Sequence, residues 1–141
     1  MKKIIFLTLT LIGAYATSYA KRKVPSDVIS AFDKQFPNAS NVKWDKENAH
    51  EYEASFVWNG EKLSANFYDN GEWLETESPT TFDQLPERVQ EAFNASHPGA
   101  KIKAIAKIET SKGSIKYEVE IKQGIKTAEL FYDVNGNEVE G

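Results

Sequence analysis

The sequence predicts an α+β fold made of two tandem α-β4 repeats, an antiparallel meander with both helices on one face of the sheet. Three observations predict it. A helix phrase is written twice at a spacing of 61 residues: Val24-Pro25, Val28, Phe32 and Phe36-Pro37-Asn38-Ala39 answer Leu85-Pro86, Val89, Phe93 and His97-Pro98-Gly99-Ala100. A strand phrase then recurs at a spacing of 65, in which Tyr52, Ala54, Phe56, Phe67 and Gly71 answer Tyr117, Val119, Ile121, Tyr132 and Gly136. Finally Asn59-Gly60, Asn70-Gly71 and Asn135-Gly136 supply the positive φ angles that tight hairpin turns require.

The elements follow in chain order. Lys2 and Lys3 precede an apolar stretch from Ile4 to Ala16, too short for a membrane span, and Ser18-Tyr19-Ala20 places small residues where signal peptidase reads. Residues 1–20 are therefore expected to be a signal peptide cleaved between Ala20 and Lys21, with 21–141 the mature domain and no stable membrane insertion after cleavage. The absence of cysteine excludes a lipid anchor at that site and any disulfide frame. In the first repeat, 24–77, Pro25 suits the opening turn of a helix, Val28, Phe32 and Phe36 form its apolar stripe, and Pro37 stops it. Strands of period-two alternation follow. Residues 78–84 link the copies, and 85–141 repeat the plan with Val89, Phe93 and His97 as the stripe. The step from 61 to 65 implies four inserted residues, expected to lengthen the first hairpin of the second copy around Ser111-Lys112-Gly113-Ser114.

The two "FYD" phrases, at 67–69 and 131–133, do not give the register between copies. Counting back from the turn glycine pairs Phe67 with Tyr132. A one-residue slip would put Glu129 rather than Leu130 on the core face, because a slip turns every side chain over. The expected inward set is Tyr52, Ala54, Phe56, Leu63, Ala65, Phe67 and Leu74, answered by Tyr117, Val119, Ile121, Ala128, Leu130, Tyr132 and Val139. One continuous sheet and two abutting sheets both satisfy this pattern.

The phrase "VPxxVxxxFxxxFPxA", then "YEASF", a hairpin and "NGEWLETE", given twice, resembles the PepSY-like family of small exported bacterial proteins. The second copy, "YEVEI" with "AELFYDVNGNEVE", is close to the family pattern, and the resemblance covers nearly all of the mature chain. It implies a fold like that of beta-lactamase-inhibitor protein and an inhibitor-like, protein-binding role. His97, where an apolar core residue is expected, and Asn137-Glu138, at the position of Trp73, depart from the pattern.

Composition narrows the function. The leader holds two of the 17 basic residues and none of the 21 acidic ones, which leaves the mature chain at −6 and excludes nucleic acid as a partner. No nucleophile motif stands out, and the two histidines, His50 and His97, occupy unlike contexts that do not make a metal pair, so neither an enzyme, a metal site nor a cofactor is expected. The run from Asp133 to Glu138 looks like a calcium loop, but its glycine comes too early and a hairpin turn explains it. The two Asn-Ala-Ser sequons are read as coincidence. Glu51, Glu53, Glu118 and Glu120 are read as a solvated sheet face, and Trp44 and Trp58 as structural.

One set of residues is left over. Val57, Tyr68 and Trp73 from the first copy and Phe131 from the second are assigned to the face away from the helices, and their counterparts Lys122, Asp133, Glu138 and Asn66 are polar. Large aromatics on an open sheet face are candidate anchors for a partner, tyrosine and tryptophan above all. The expected function is non-catalytic binding or inhibition of another exported protein. The alternative is a small hydrophobic or glycan ligand held by the same aromatics in a cleft.

Overall fold

The computed structural model describes residues 24–141; the expected signal peptide and the expected Ala20–Lys21 cleavage site lie outside them. Helix α1 (Ser26–Gln35) leads into β1 (Ser40–Lys46), β2 (Glu51–Trp58), β3 (Glu61–Tyr68) and β4 (Trp73–Pro79). A 3-10 turn (Phe82–Gln84) and α2 (Glu87–Ser96) follow, then β5 (Lys101–Thr110), β6 (Ile115–Gln123), β7 (Lys126–Asp133) and β8 (Glu138–Val139). The eight strands form one antiparallel sheet in sequence order, so the linker carries the meander across without a break. Among the described residues no helix is long and apolar enough to cross a membrane.

The helices begin and end as their prolines dictate. Pro25 and Pro86 sit just before the first helical residue, where a missing N–H costs nothing. At the other end the N–H of Phe36 reaches Phe32 and that of His97 reaches Phe93, after which Asn38 (φ 64°) and Gly99 (φ 73°) turn the chain in the left-handed region. Each helix docks on its own cluster. Val28, Phe32 and Phe36 cover Tyr52, Ala54, Phe56, Ala65 and Phe67, whereas Leu85, Val89 and Phe93 cover Ile105, Val119, Ile121 and Tyr132. Burying such a side chain stabilises the fold by roughly 1.5–3 kcal/mol. In the first cluster Phe32 adds edge-on contacts to Phe56 and Trp44, with ring centroids 4.9 and 5.2 Å apart.

Register shows that both clusters lie on one side of the sheet. Ser78 pairs with Lys107, Lys107 with Tyr117 and Tyr117 with the buried Tyr132, so the row beneath α1 runs on beneath α2. Between the helices that row is polar: Thr76, Ser78, Lys107 and Glu109 line a seam. The second half is wider, but not in its hairpin loop. Residues 47–50 and 111–114 are loops of equal length, and the extra residues lie within β5 and β6.

Two glycines fix how each helix sits on its half. Gly71 and Gly136 close the β3–β4 and β7–β8 turns at φ 86° and 82°. A Cβ at Gly71 would come within 2.7 Å of the Asp27 carbonyl oxygen, and one at Gly136 would strike the corresponding carbonyl of Arg88. Only glycine lets these turns lie against the first turns of α1 and α2.

The last strand of each half departs from the expected register. The Tyr68 N–H bonds to the Glu72 carbonyl across three loop residues, which sets Trp73 opposite Phe67. A β-bulge at Leu74 then brings Glu75 opposite Asn66. Trp73 therefore turns toward the helix side and Leu74 is not an inward core residue. In the second half Glu138 pairs with Tyr132 and Val139 with Phe131, so Val139 also leaves the core face. Alternation assumed an even loop; an odd one turned over β8 and the start of β4, and the bulge at Leu74 restored the rest of β4.

Candidate functional site

Strand pairing places Val57, Tyr68 and Phe131 on the helix-free face, as expected, and moves Trp73 to the other one. Trp73 is half-buried, packs against the first core cluster and donates its indole N–H to Thr76 Oγ1 at 3.0 Å. It lines a shallow cleft of about 340 Å³ under the C-terminal end of α1, together with Phe36, Trp58 and Leu63. The three residues that remain do not form a patch. Val57 and Tyr68 lie at opposite ends of the β2–β3 hairpin, and Phe131 stands four strands from β3, roughly 19 Å away at the usual strand spacing. Phe131 lies beneath Gly141, with the Lys116 ammonium 5.8 Å from its ring centre.

Between these aromatics the face is carboxylate. One row across the strands reads Asp45, Glu53, Asn66, Glu75, Thr110; the next reads Lys43, Ser55, Ser64, Glu77, Ile108, Lys116, Asp133. A third sets Glu118 beside Phe131, and a fourth sets Glu120 beside Glu129. The sequence makes Glu51, Glu53, Glu118 and Glu120 a solvated surface, and pairing adds Glu75 and Glu77 to the same face. Instead Glu77 is 9% exposed, Ser64 6%, Asn66 7% and Ile108 2%, as closed off as the core under the helices. The sequence carried one sign of this: "ETES" at 75–78 and "YEVE" at 117–120 place glutamates on strands that have neighbours on both sides.

Burial and mutual repulsion raise these groups. The Glu118 carboxyl is pushed up to about 8 by burial, then by the charges of Glu77, Glu129, Glu120 and Glu75. Glu77 is pushed up to about 7 by burial and by Glu75, against the stabilising hydroxyl of Ser64 and the charge of Lys116. Glu53 is raised to about 7 by burial and by its contact with Glu47. Asn66 sits among them with its Oδ1 buried and without a hydrogen-bond partner.

The remaining polar candidates are occupied locally. His97 stacks at 5.6 Å on Phe93, and His50 Nδ1 meets Asp69 Oδ2 at 2.9 Å. Asp133 Oδ1 accepts the backbone N–H groups of Asn135 and Asn137, and the Asn137 side chain, then its backbone, are the chief cause that holds the Asp133 carboxyl below the usual range. This is a turn that closes on itself rather than a cation loop.

A family model described as beta-lactamase-inhibitor-like, PepSY-like matches residues 51–139. Among solved structures the chain is similar to a DUF2874 family protein from Bacteroides ovatus, 26% identical over 84% of this chain and 86% of that one, with a TM-score of 0.70. It is similar also to a BLIP-like protein from Bacteroides fragilis, 27% identical over 82% and 84% of the two chains, with a TM-score of 0.67. A protein from Bacteroides eggerthii described as periplasmic shares the fold at 20% identity, covering 84% and 87%, with a TM-score of 0.75. No curated protein matches the chain.

Proposed function

The chain belongs to the PepSY-like family, and from that premise we propose that it is a non-catalytic exported module that binds or inhibits another exported protein across the helix-free face of its sheet. One observation carries the reading. Both helices cover the same side, so among the described residues the opposite side of an eight-stranded sheet has no covering element. An antiparallel sheet tolerates that only if water or a partner meets the free face. The beta-lactamase-inhibitor-like description of the family and the BLIP-like neighbour support a partner that is a protein. Export rests on the leader sequence, in keeping with the periplasmic description of the Bacteroides eggerthii neighbour.

Val57, Tyr68 and Phe131 are the apolar contacts of this surface, and Trp73 takes no part in it. The test is capture of the partner from the native periplasm, followed by exchange protection of the bound complex. Protection on β2–β7 of the helix-free side supports the reading, with Tyr68→Ala and Phe131→Ala each weakening the complex by about 1–2 kcal/mol. Protection confined to α1, α2 or the seam overturns it.

A second reading has its own observation, the cleft lined by Trp58 and Trp73. Its volume falls within the range of small-ligand sites, and the rings are held in place by indole hydrogen bonds to Pro37 and Thr76. A small hydrophobic or glycan ligand there would quench tryptophan fluorescence in wild type and not in Trp73→Phe with Trp58→Phe.

A further inference from the structure

We propose that the helix-free face recognises a cationic side chain, an arginine or lysine presented by a protein partner, seated at Asn66 between Glu53, Glu75 and Glu77. The inference rests on the docking reading above and gives that partner a chemistry. Its starting point is an unmatched acceptor. Asn66 is 7% exposed and stands in register between Glu53 on β2 and Glu75 on β4, yet its Oδ1 has no partner. Leaving a buried acceptor unmade costs about 1–3 kcal/mol. A folded chain that keeps one among crowded carboxyl groups is arranged for something that brings donors and positive charge.

Among the described residues no basic side chain of the same row supplies them. Ser64, the next residue of β3 on this face, already shares its hydroxyl with Glu53 and Glu77. From β1 the facing groups are Asp45 and, beyond the strand end, Glu47, with Lys43 one row away at the sheet edge. From β2 and β4 they are Glu53, Glu75 and Glu77; from β5 the row ends on neutral Thr110. On β3 itself Lys62 shares the face, two rows from Asn66 and opposite Val57 at the exposed turn end of the hairpin; the other cations belong to the second half. Lys103 is bonded to Glu120 at 2.7 Å, and Lys116, between Ile108 and Asp133, lies over Phe131, from where its charge only partly offsets the burial of Glu77. The site near Asn66 is thus rich in acceptors and short of donors.

The ligand that fits carries several N–H donors, a positive charge and no acceptor. A guanidinium supplies five donors and an ammonium three. Among the described residues no three of Asp, Glu and His converge closely enough to hold a metal ion, so the carboxylates suit a hydrogen-bonding cation rather than a bare metal. Burial strengthens each such bond by excluding water. The raised carboxyls add a pH dependence: with Glu53 and Glu77 near 7, a bound cation favours their ionised forms, so binding releases protons and tightens as pH rises from 5.5 to 8.

The test titrates end-capped hexa-arginine into the mature domain while amide NMR shifts are followed at pH 8 and pH 5.5. The expected result is a set of shifts centred on residues 53, 64–66 and 75–77, with affinity lower at pH 5.5. The double variant Glu75→Gln with Glu77→Gln should weaken binding about tenfold or more, whereas Glu91→Gln on α2 should leave it unchanged. Asn66→Leu is the second variant: it should melt no lower than wild type and still bind the peptide more weakly, which separates recognition from folding. Equal affinity in the double variant, or shifts spread over carboxylates elsewhere, overturns the inference and leaves the docking face standing on the exchange experiment. Displacement of the peptide by calcium with the same residues shifting would make this a metal site and overturn it too.

Discussion

On the covered side of the sheet, Tyr52, Ala54 and Phe56 meet Phe67, Ala65 and Leu63 across β2 and β3; on the free side of the same two strands, Glu53 and Ser55 meet Asn66 and Ser64. The pattern is the ordinary one of an antiparallel sheet, yet burial does not follow polarity. Glu77 at 9% exposure is as enclosed as Tyr52 at 8%, and Ile108 is buried on the side no helix covers. The comparison teaches that an interior strand of a wide sheet is shielded by its neighbours on both faces. A polar residue on such a strand is partly desolvated whether or not anything packs over it, and its charge then works against its neighbours'.

The sharpest way to break the comparison is to cut the covered face. Phe67→Ala removes a fully buried ring that touches Phe32 and should destabilise the domain by about 3–5 kcal/mol in denaturant melts. A loss near 1 kcal/mol would mean that the two faces hold the fold equally. Gly71→Ala, which forces a side chain into the Asp27 carbonyl at positive φ, should cost about 2–3 kcal/mol by the same measurement. Trp73→Ala should cost about 2 kcal/mol, as a half-buried ring against the first cluster, and should leave partner affinity per folded molecule unchanged.

The free face should answer to pH instead. Its carboxyls stand above their ordinary value of 4.5 in the fold, so the folded chain holds more protons than the unfolded one between that value and about 7 to 8. Their contribution is full below about 4.5 and is lost as pH climbs through 7 and 8, so stability rises on acidification across this window. The thermal midpoint at pH 5.5 should exceed that at pH 8 by about 5 °C, and Glu118→Gln should flatten the difference. A midpoint that falls from pH 8 to 5.5 would show the carboxylates to be solvated after all. The smallest effect is expected at Tyr68→Ala, about half a kcal/mol, as for a surface position.

Much of the covered side was legible in the chain. Val28 and Phe32, like Val89 and Phe93, lie four apart on their helices, and the glycine register sent Tyr132 rather than Phe131 inward, because helix and strand periods are local properties that a repeated phrase displays twice. Trp73 was not legible. Its side depends on whether the β3–β4 loop holds an odd or even number of residues, and a bulge at Leu74 then cancels the shift for Glu75 and Glu77. The carboxylate face was hidden for a related reason: each glutamate reads as solvent-facing within its own strand. Only pairing brings Glu53 and Glu75 into the row of Asn66, Glu77 into the next row and Glu118 into the one after, where desolvation and repulsion act together. The sequence by itself determined the elements, their order and the apolar stripe beneath each helix, since these follow from spacing along one chain. Tertiary structure alone decided which charges share a surface and which acceptor goes unmatched, since those depend on distances between strands.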